Sequence, residues 1–222
     1  MTNQADRKIY IESNPCFNIN NGLCYPDFFK LVKQLQEQLV RPLCIVELGT
    51  RKWGTPSTHH KNDFYVNGID ISNYIMTDYL EGEDVDKIVD LHKFTEVFKP
   101  ESVDVVFSGS TFEHIKYPWL AAHELMLSLK TGGYIHICTH QSFPLHGYPY
   151  DYYRFSRNAL ESLFPTEMNM KNINSWYDFL VDIVPDDISV FRNKLSESYL
   201  NVNLITTKTG PTPSKWIYRF DK

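Results

Sequence analysis

The 222-residue chain has no apolar run approaching the roughly 18 residues that a membrane helix needs. Its opening, MTNQADRKIYIESNP, lacks the apolar core of a secretory signal. The expectation is a soluble, cytoplasmic protein with no membrane partner. Excess positive charge is also missing. Lys and Arg number 22 against 27 Asp and Glu, for a net charge of −5, so a grip on nucleic acid through bulk charge is excluded. The four cysteines (Cys16, Cys24, Cys44 and Cys138) make no C-x-x-C pair, and no histidine stands at zinc-ligand spacing. Neither a disulfide scaffold nor a zinc module is expected, and no metal is assigned. Cys44 and Cys138, each inside an apolar run, read as small buried hydrophobes. Repeats, Gly/Ser linkers and charge blocks are absent too. What is present, 42% hydrophobic and 14% aromatic residues, is enough to build a core. The length favours one domain over 1–222: an N-terminal arm and helix (1–40), a core (41–164) and a C-terminal completion of the sheet (165–222).

Apolar periodicity alternates between two types. Residues 26–39 place Phe28, Phe29, Leu31, Val32, Leu35 and Leu39 on one helical face, with Pro26 suited to the first turn. Short apolar runs predict strands at 43–48, 64–71, 85–91, 103–107 and 134–138, and a late one at 202–207. Helical spacing recurs at 119–129, closed by Gly132-Gly133, and again at 156–164, with a further helix conceivable at 189–198. Strands separated by helices predict an α/β fold, a Rossmann-like, doubly wound and mostly parallel sheet with a late antiparallel strand.

In such a sheet a ligand sits beyond the carboxyl ends of the strands. The first strand leads into Glu47-Leu48-Gly49-Thr50-Arg51-Lys52-Trp53-Gly54. Asp70, followed by Ile71, lies 23 residues beyond Glu47, where a carboxylate can accept from both hydroxyls of a ribose. Asp90-Leu91-His92 closes the third strand and Ser108 to His114 (SGSTFEH) follows the fourth. A nicotinamide-dependent oxidoreductase is disfavoured, because G-x-G-x-x-G is missing after the first strand and no Tyr-x-x-x-Lys pair follows the fourth.

The order VDVVFSGSTFEHI, helix, LKTGGYIHI over Val103–Cys138 resembles the class I S-adenosylmethionine-dependent methyltransferases. The likeness spans roughly Leu43–Phe164. His146 to Ser156 (HGYPYDYYRFS) is similar to the H-x-x-P-x-D-Y-x-R-F-[ST] segment of members that often act in glycan and cell-envelope pathways. The resemblance implies S-adenosylmethionine as cofactor and S-adenosylhomocysteine as product. It would put Glu47, Gly49 and Thr50 beside the methionine part, Asp70 with Ile71 on the ribose, Asp90 and the Leu91 backbone at the adenine, and Ser108 and Gly109 beneath the sulfonium. The first loop departs from the family's acid-x-G-x-G-x-G, since Arg51 and Trp53 replace the later glycines.

Methyl transfer is an in-line displacement, so alignment matters most, and a hydroxyl acceptor must also lose its proton. His114, His140, His146 and Asp151 are the candidate bases. Each has a plainer structural role open to it, such as Asp151 pairing with Arg154. His123 and His136 read as structural, and His59-His60 as a solvated pair. Tyr148, Tyr152, Tyr153 and Arg154 are candidates for holding a sugar ring, with packing under the loop as the alternative. A small-molecule or glycan acceptor follows as the expected partner. A methyltransferase-like module kept only for binding is the non-enzymatic alternative.

Overall fold

The computed structural model describes residues 26–52, 59–183 and 196–216. The first helix, α1 (Pro26–Leu39), turns Phe28, Phe29 and Val32 inward, as its spacing requires. Strands β1 (Ile45–Leu48), β2 (Tyr74–Asp78), β3 (Lys87–Ile88), β4 (Val103–Gly109), β5 (Leu129–His140), β6 (Met170–Ile183) and β7 (Ser196–Lys208) form one sheet in the order 3-2-1-4-5-7-6. The five strands β1 to β5 run parallel, while β7 pairs antiparallel with both β5 and β6. Helices α2 (Lys61–Val66), α3 (Phe94–Val97), α4 (Pro118–Ser128) and α5 (Arg157–Ser162), with short 3-10 turns at Leu91–Lys93, Phe112–His114 and Thr166–Met168, complete the described elements.

Side chains alternate along each strand, so the sheet feeds two hydrophobic layers. Val46, Leu48 and Val106 join Phe94, Leu125 and Phe164 on one face. Ile45, Val105 and Phe107 join Phe28, Phe29 and Phe64 on the other. Cys138 is buried and Cys44 half-buried, both as free thiols; Cys16 and Cys24 lie outside the described residues.

Several sequence expectations are corrected. Phe64–Val66 is helical, not a strand. His60 C=O accepts from the Asp63 and Phe64 N–H groups, and only Phe64 is buried while Tyr65 and Val66 face outward. One apolar contact is all a short helical turn needs, so the β-rich composition is overridden. The second strand starts at Tyr74 instead, after a turn in which Asp70 Oδ1 accepts the Ser72 N–H. Gly132-Gly133 lies inside β5, the helix having ended at Ser128. There are two late antiparallel strands, and β6 had no counterpart in the sequence reading. Residues 189–195 of the conceivable late helix lie outside the described residues, and 196–198 are strand.

At the end of α4, Lys208 is 1% exposed. Its ammonium donates to the Met126 and Leu129 carbonyls at 2.9 and 2.7 Å and pairs with Glu101, tying β7 to carbonyls that a helix end leaves unsatisfied.

Candidate functional site

The strand order reverses between β1 and β4, so their carboxyl ends diverge into a crevice. Gly49 leaves β1 at φ +73°, and a Cβ there would run into the Thr111 hydroxyl, so only glycine serves. Beside β1, the second strand ends at Asp78. Its carboxylate accepts the Arg51 N–H at 3.2 Å and the Leu80 N–H at 3.0 Å. Beyond β3, Asp90 Oδ1 accepts from His92 N–H at 2.9 Å and stands 2.8 Å from His92 Nδ1. Ser108, wholly buried near the tip of β4, has no hydrogen-bond partner for its hydroxyl among the described residues.

One strand further along the same rim, residues remote in sequence converge. A short helical turn after β4 carries Glu113, wholly buried, whose Oε2 accepts from Thr139 Oγ1 at 2.7 Å. Its Oε1 lies 3.1 Å from His140 Nε2, 3.8 Å from His114 Nε2 and 3.8 Å from His146 Nε2. His114 Nδ1 lies 2.8 Å from the Tyr150 carbonyl, His146 Nδ1 3.1 Å from the Pro144 carbonyl, and His140 Nδ1 3.1 Å from Asn201 Oδ1. The His140 ring stacks on Phe143 at 4.1 Å. Burial holds the His140 imidazole below its ordinary pKa, against the opposing pull of Glu113, so the ring favours its neutral form. Gly147, at φ +64°, lets the loop cross His114 closely: a Cβ there would stand 2.6 Å from the ring.

Comparison with known proteins matches residues 50–137 to the methyltransferase domain family. Similar solved structures include the Burkholderia thailandensis 1,6-didemethyltoxoflavin-N1-methyltransferase with bound 1,6-didemethyltoxoflavin and S-adenosylhomocysteine. It is 12% identical over 93% of this chain and 84% of its own, with a TM-score of 0.51. The CurJ carbon methyltransferase gives 11% identity and a TM-score of 0.51, over 82% of this chain. This chain spans about half of that protein, 54%. A putative S-adenosylmethionine-dependent methyltransferase from Listeria monocytogenes gives 10% identity over 81% of this chain and 97% of its own, with a TM-score of 0.50. No curated protein matches. Residues 50–137 are thus similar to a methyltransferase domain, and the solved structures share the fold of this chain.

The rim suits a nucleoside in its donor set: two acids at the ends of neighbouring strands, backbone exposed at a glycine turn, and a buried hydroxyl at the crevice with no hydrogen-bond partner among the described residues. Asp70, however, is misplaced for that purpose. It is exposed and lies four residues before Tyr74, the residue paired with Ile45 at the start of β1. That puts Asp70, and Ile71 with it, on the opposite edge of the parallel sheet. Asp78 occupies the corresponding place at the crevice, and sequence reasoning missed it because it assigned the strand ten residues too early.

Further expectations are corrected by the bonding. Glu47 is buried and saturated by the His60 N–H and Nδ1 and by the Tyr74 hydroxyl at 2.6 Å. His60 is therefore a structural partner, not one of a solvated pair. Thr50 is buried and donates to the Asp84 carbonyl at 2.6 Å. Trp53 and Gly54 lie outside the described residues. The Asp151 side chain is 1% exposed, and the Arg154 guanidinium holds its carboxyl well below the usual carboxylate range, which removes it as a base. Arg154 directs its five N–H groups to Asp151 Oδ1 and Oδ2 and to the Phe143, Pro144 and Tyr153 carbonyls, all within its own loop. It braces the loop and has no donor left for an acceptor. Tyr153 donates to the Lys116 carbonyl and packs on the core. Tyr148 and Tyr152 are exposed at the loop surface. Leu91 is buried in the core, while Asp90 and Gly109 keep their places at the rim. His123 bonds the Pro213 carbonyl, and His136 is a core residue as expected.

Among the described residues no helix is long and apolar enough to cross a membrane.

Proposed function

We propose that the domain transfers a methyl group to a hydroxyl, with a saccharide or glycan as the acceptor class. S-adenosylmethionine supplies the electrophilic methyl on its sulfonium. Asp78 would hold the ribose, and Asp90 with the Leu91 backbone the adenine, while Ser108 and Gly109 would line the crevice. The single observation that carries the hydroxyl reading is the imidazole cluster around Glu113, on the rim one strand from the switch point. A neutral alcohol is a poor nucleophile, and a neutral imidazole beside a carboxylate can take its proton. His140 is the base of choice, because burial keeps its ring neutral and Glu113 Oε1 stands 3.1 Å from Nε2 to steady the imidazolium that forms. Tyr148 and Tyr152 offer exposed aromatic faces, with hydroxyls, for a sugar ring.

One observation favours a binding-only module: Glu47, the acid expected near the methionine moiety, is consumed by His60 and Tyr74. Mass spectrometry of glycans incubated with protein and cofactor separates the two. The enzyme adds one methyl group, and His140→Gln lowers turnover without changing cofactor affinity. A +14 Da product missing from every glycan, alongside a thermal shift with S-adenosylhomocysteine of about 2.7 kcal/mol at 100 times its Kd, would leave only the binding module.

A further inference from the structure

His114 and His146 face main-chain carbonyls through Nδ1, at 2.8 and 3.1 Å. A carbonyl oxygen only accepts, so each Nδ1 carries the proton and each neutral ring leaves a lone pair on Nε2. Both Nε2 atoms stand 3.8 Å from Glu113 Oε1, and the three atoms lie within 4.8 Å of one another. That carboxylate oxygen is buried and has no hydrogen-bond partner among the described residues; His140 Nε2 stands 3.1 Å from it, with the other ring nitrogen, Nδ1, against Asn201 Oδ1. Three electron-pair donors thus converge on one point with no hydrogen between them, an arrangement that is costly unless a cation sits there. A proton on one imidazole would satisfy only one pair.

We propose that Glu113 Oε1, His114 Nε2 and His146 Nε2 form a three-ligand seat for a divalent first-row transition metal. The donor set of two imidazoles and a carboxylate suits Zn2+, Mn2+ or Fe2+ better than Mg2+. Ligands about 2.1 Å from such an ion lie roughly 3.0 to 3.4 Å apart in octahedral or tetrahedral geometry, so the observed 3.8 Å separations must close by about 0.4–0.8 Å, and the pair of imidazole nitrogens, within 4.8 Å, by up to about 1.8 Å, on binding. The outer bonds match what ligating histidines use: each ring's other nitrogen donates to a backbone carbonyl, which fixes the tautomer. Thr139 donates to the second carboxylate oxygen and orients it in the same way. Three protein ligands leave a position open, as in catalytic sites. Resting on the methyl-transfer reading, that position takes the acceptor oxygen. A bound ion would make that hydroxyl more acidic, and His140 Nε2 would take its proton as the O–CH3 bond forms and the S–CH3 bond breaks.

The test is calorimetric titration of tag-free, chelator-treated full-length protein with Zn2+ and with Mn2+, without cofactor or acceptor. One equivalent should bind, and Glu113→Gln and His146→Gln should each weaken it at least 100-fold, while His123→Gln leaves it unchanged. Since Glu113 is buried, circular dichroism establishes that its variant is folded; His146, on a loop, provides the independent variant. No binding at one equivalent, or equal affinity in His146→Gln and in the intact protein, overturns the proposal. The titration is read separately from S-adenosylhomocysteine binding, so a failure of the methyltransferase reading would appear in the second measurement alone.

Discussion

Asp78→Asn, compared with Asp70→Asn, is the sharpest test of where the nucleoside lies. The two acids are at opposite ends of β2: Asp78 beside Gly49 at the crevice, Asp70 four residues before the strand begins. In Asp78→Asn the side-chain volume is kept and one acceptor survives for the Arg51 or Leu80 N–H. The charge would be lost from the two hydrogen bonds that the proposed site gives to the ribose hydroxyls. Bonds to a charged group contribute about 1.5–3 kcal/mol each, and the amide retains part of one. A net loss of about 3 kcal/mol is expected, or roughly a 100-fold weaker Kd for S-adenosylhomocysteine by calorimetry. Asp70→Asn removes only the charge from a solvent-exposed turn residue, whose amide oxygen can still accept the Ser72 N–H, and should leave that Kd within about twofold. Melting without ligand controls for the turn after β2. Equal affinity in Asp78→Asn, or a large loss in Asp70→Asn, would refute this placement of the site.

His136 packs against Phe28 and stacks on Phe107, and burial pushes its pKa down to about 3. The unfolded ring titrates near 6.5, so as pH falls below 6.5 the unfolded chain gains a proton that the folded one refuses. Its contribution to stability therefore declines with pH from 6.5 towards 3, by up to about 1.4 kcal/mol per unit. Urea unfolding at pH 6.5 and 5.0 should show the wild type losing about 2 kcal/mol more than His136→Phe; equal losses would mean that the ring titrates normally. Lys208→Met keeps the stem but removes the ammonium donor from the Leu129 carbonyl and from the Met126 carbonyl, which keeps the Thr212 hydroxyl, for an expected cost of about 1–3 kcal/mol. Glu101→Gln, altering a half-exposed partner, should cost less than about 1 kcal/mol in the same assay; the reverse ranking would place the weight on the ion pair.

Legibility in the sequence followed the kind of interaction that sets each feature. Buried on both faces, β1 and β4 appear as continuous apolar runs, because parallel strands at the centre of a sheet have no solvent side. Tyr74–Asp78 is half-buried and reads YIMTD, which no periodicity separates from the FYV helix before it. Position along the chain was then mistaken for position on the sheet, and the ribose acid was sought at Asp70. The three histidines were visible individually as residues after strand ends. Their common partner was not: Glu113 and His140 meet only because β4 and β5 pair in parallel with Gly109 opposite Cys138, which brings the turn after one strand against the tip of the next. Arg154 shows the converse. A cation in an aromatic loop suggests a ligand contact, yet its planar fork is filled by Asp151 and three carbonyls. That bracing is itself a condition for the site, since the loop it stiffens carries His146 and supplies the Tyr150 carbonyl that fixes the tautomer of His114.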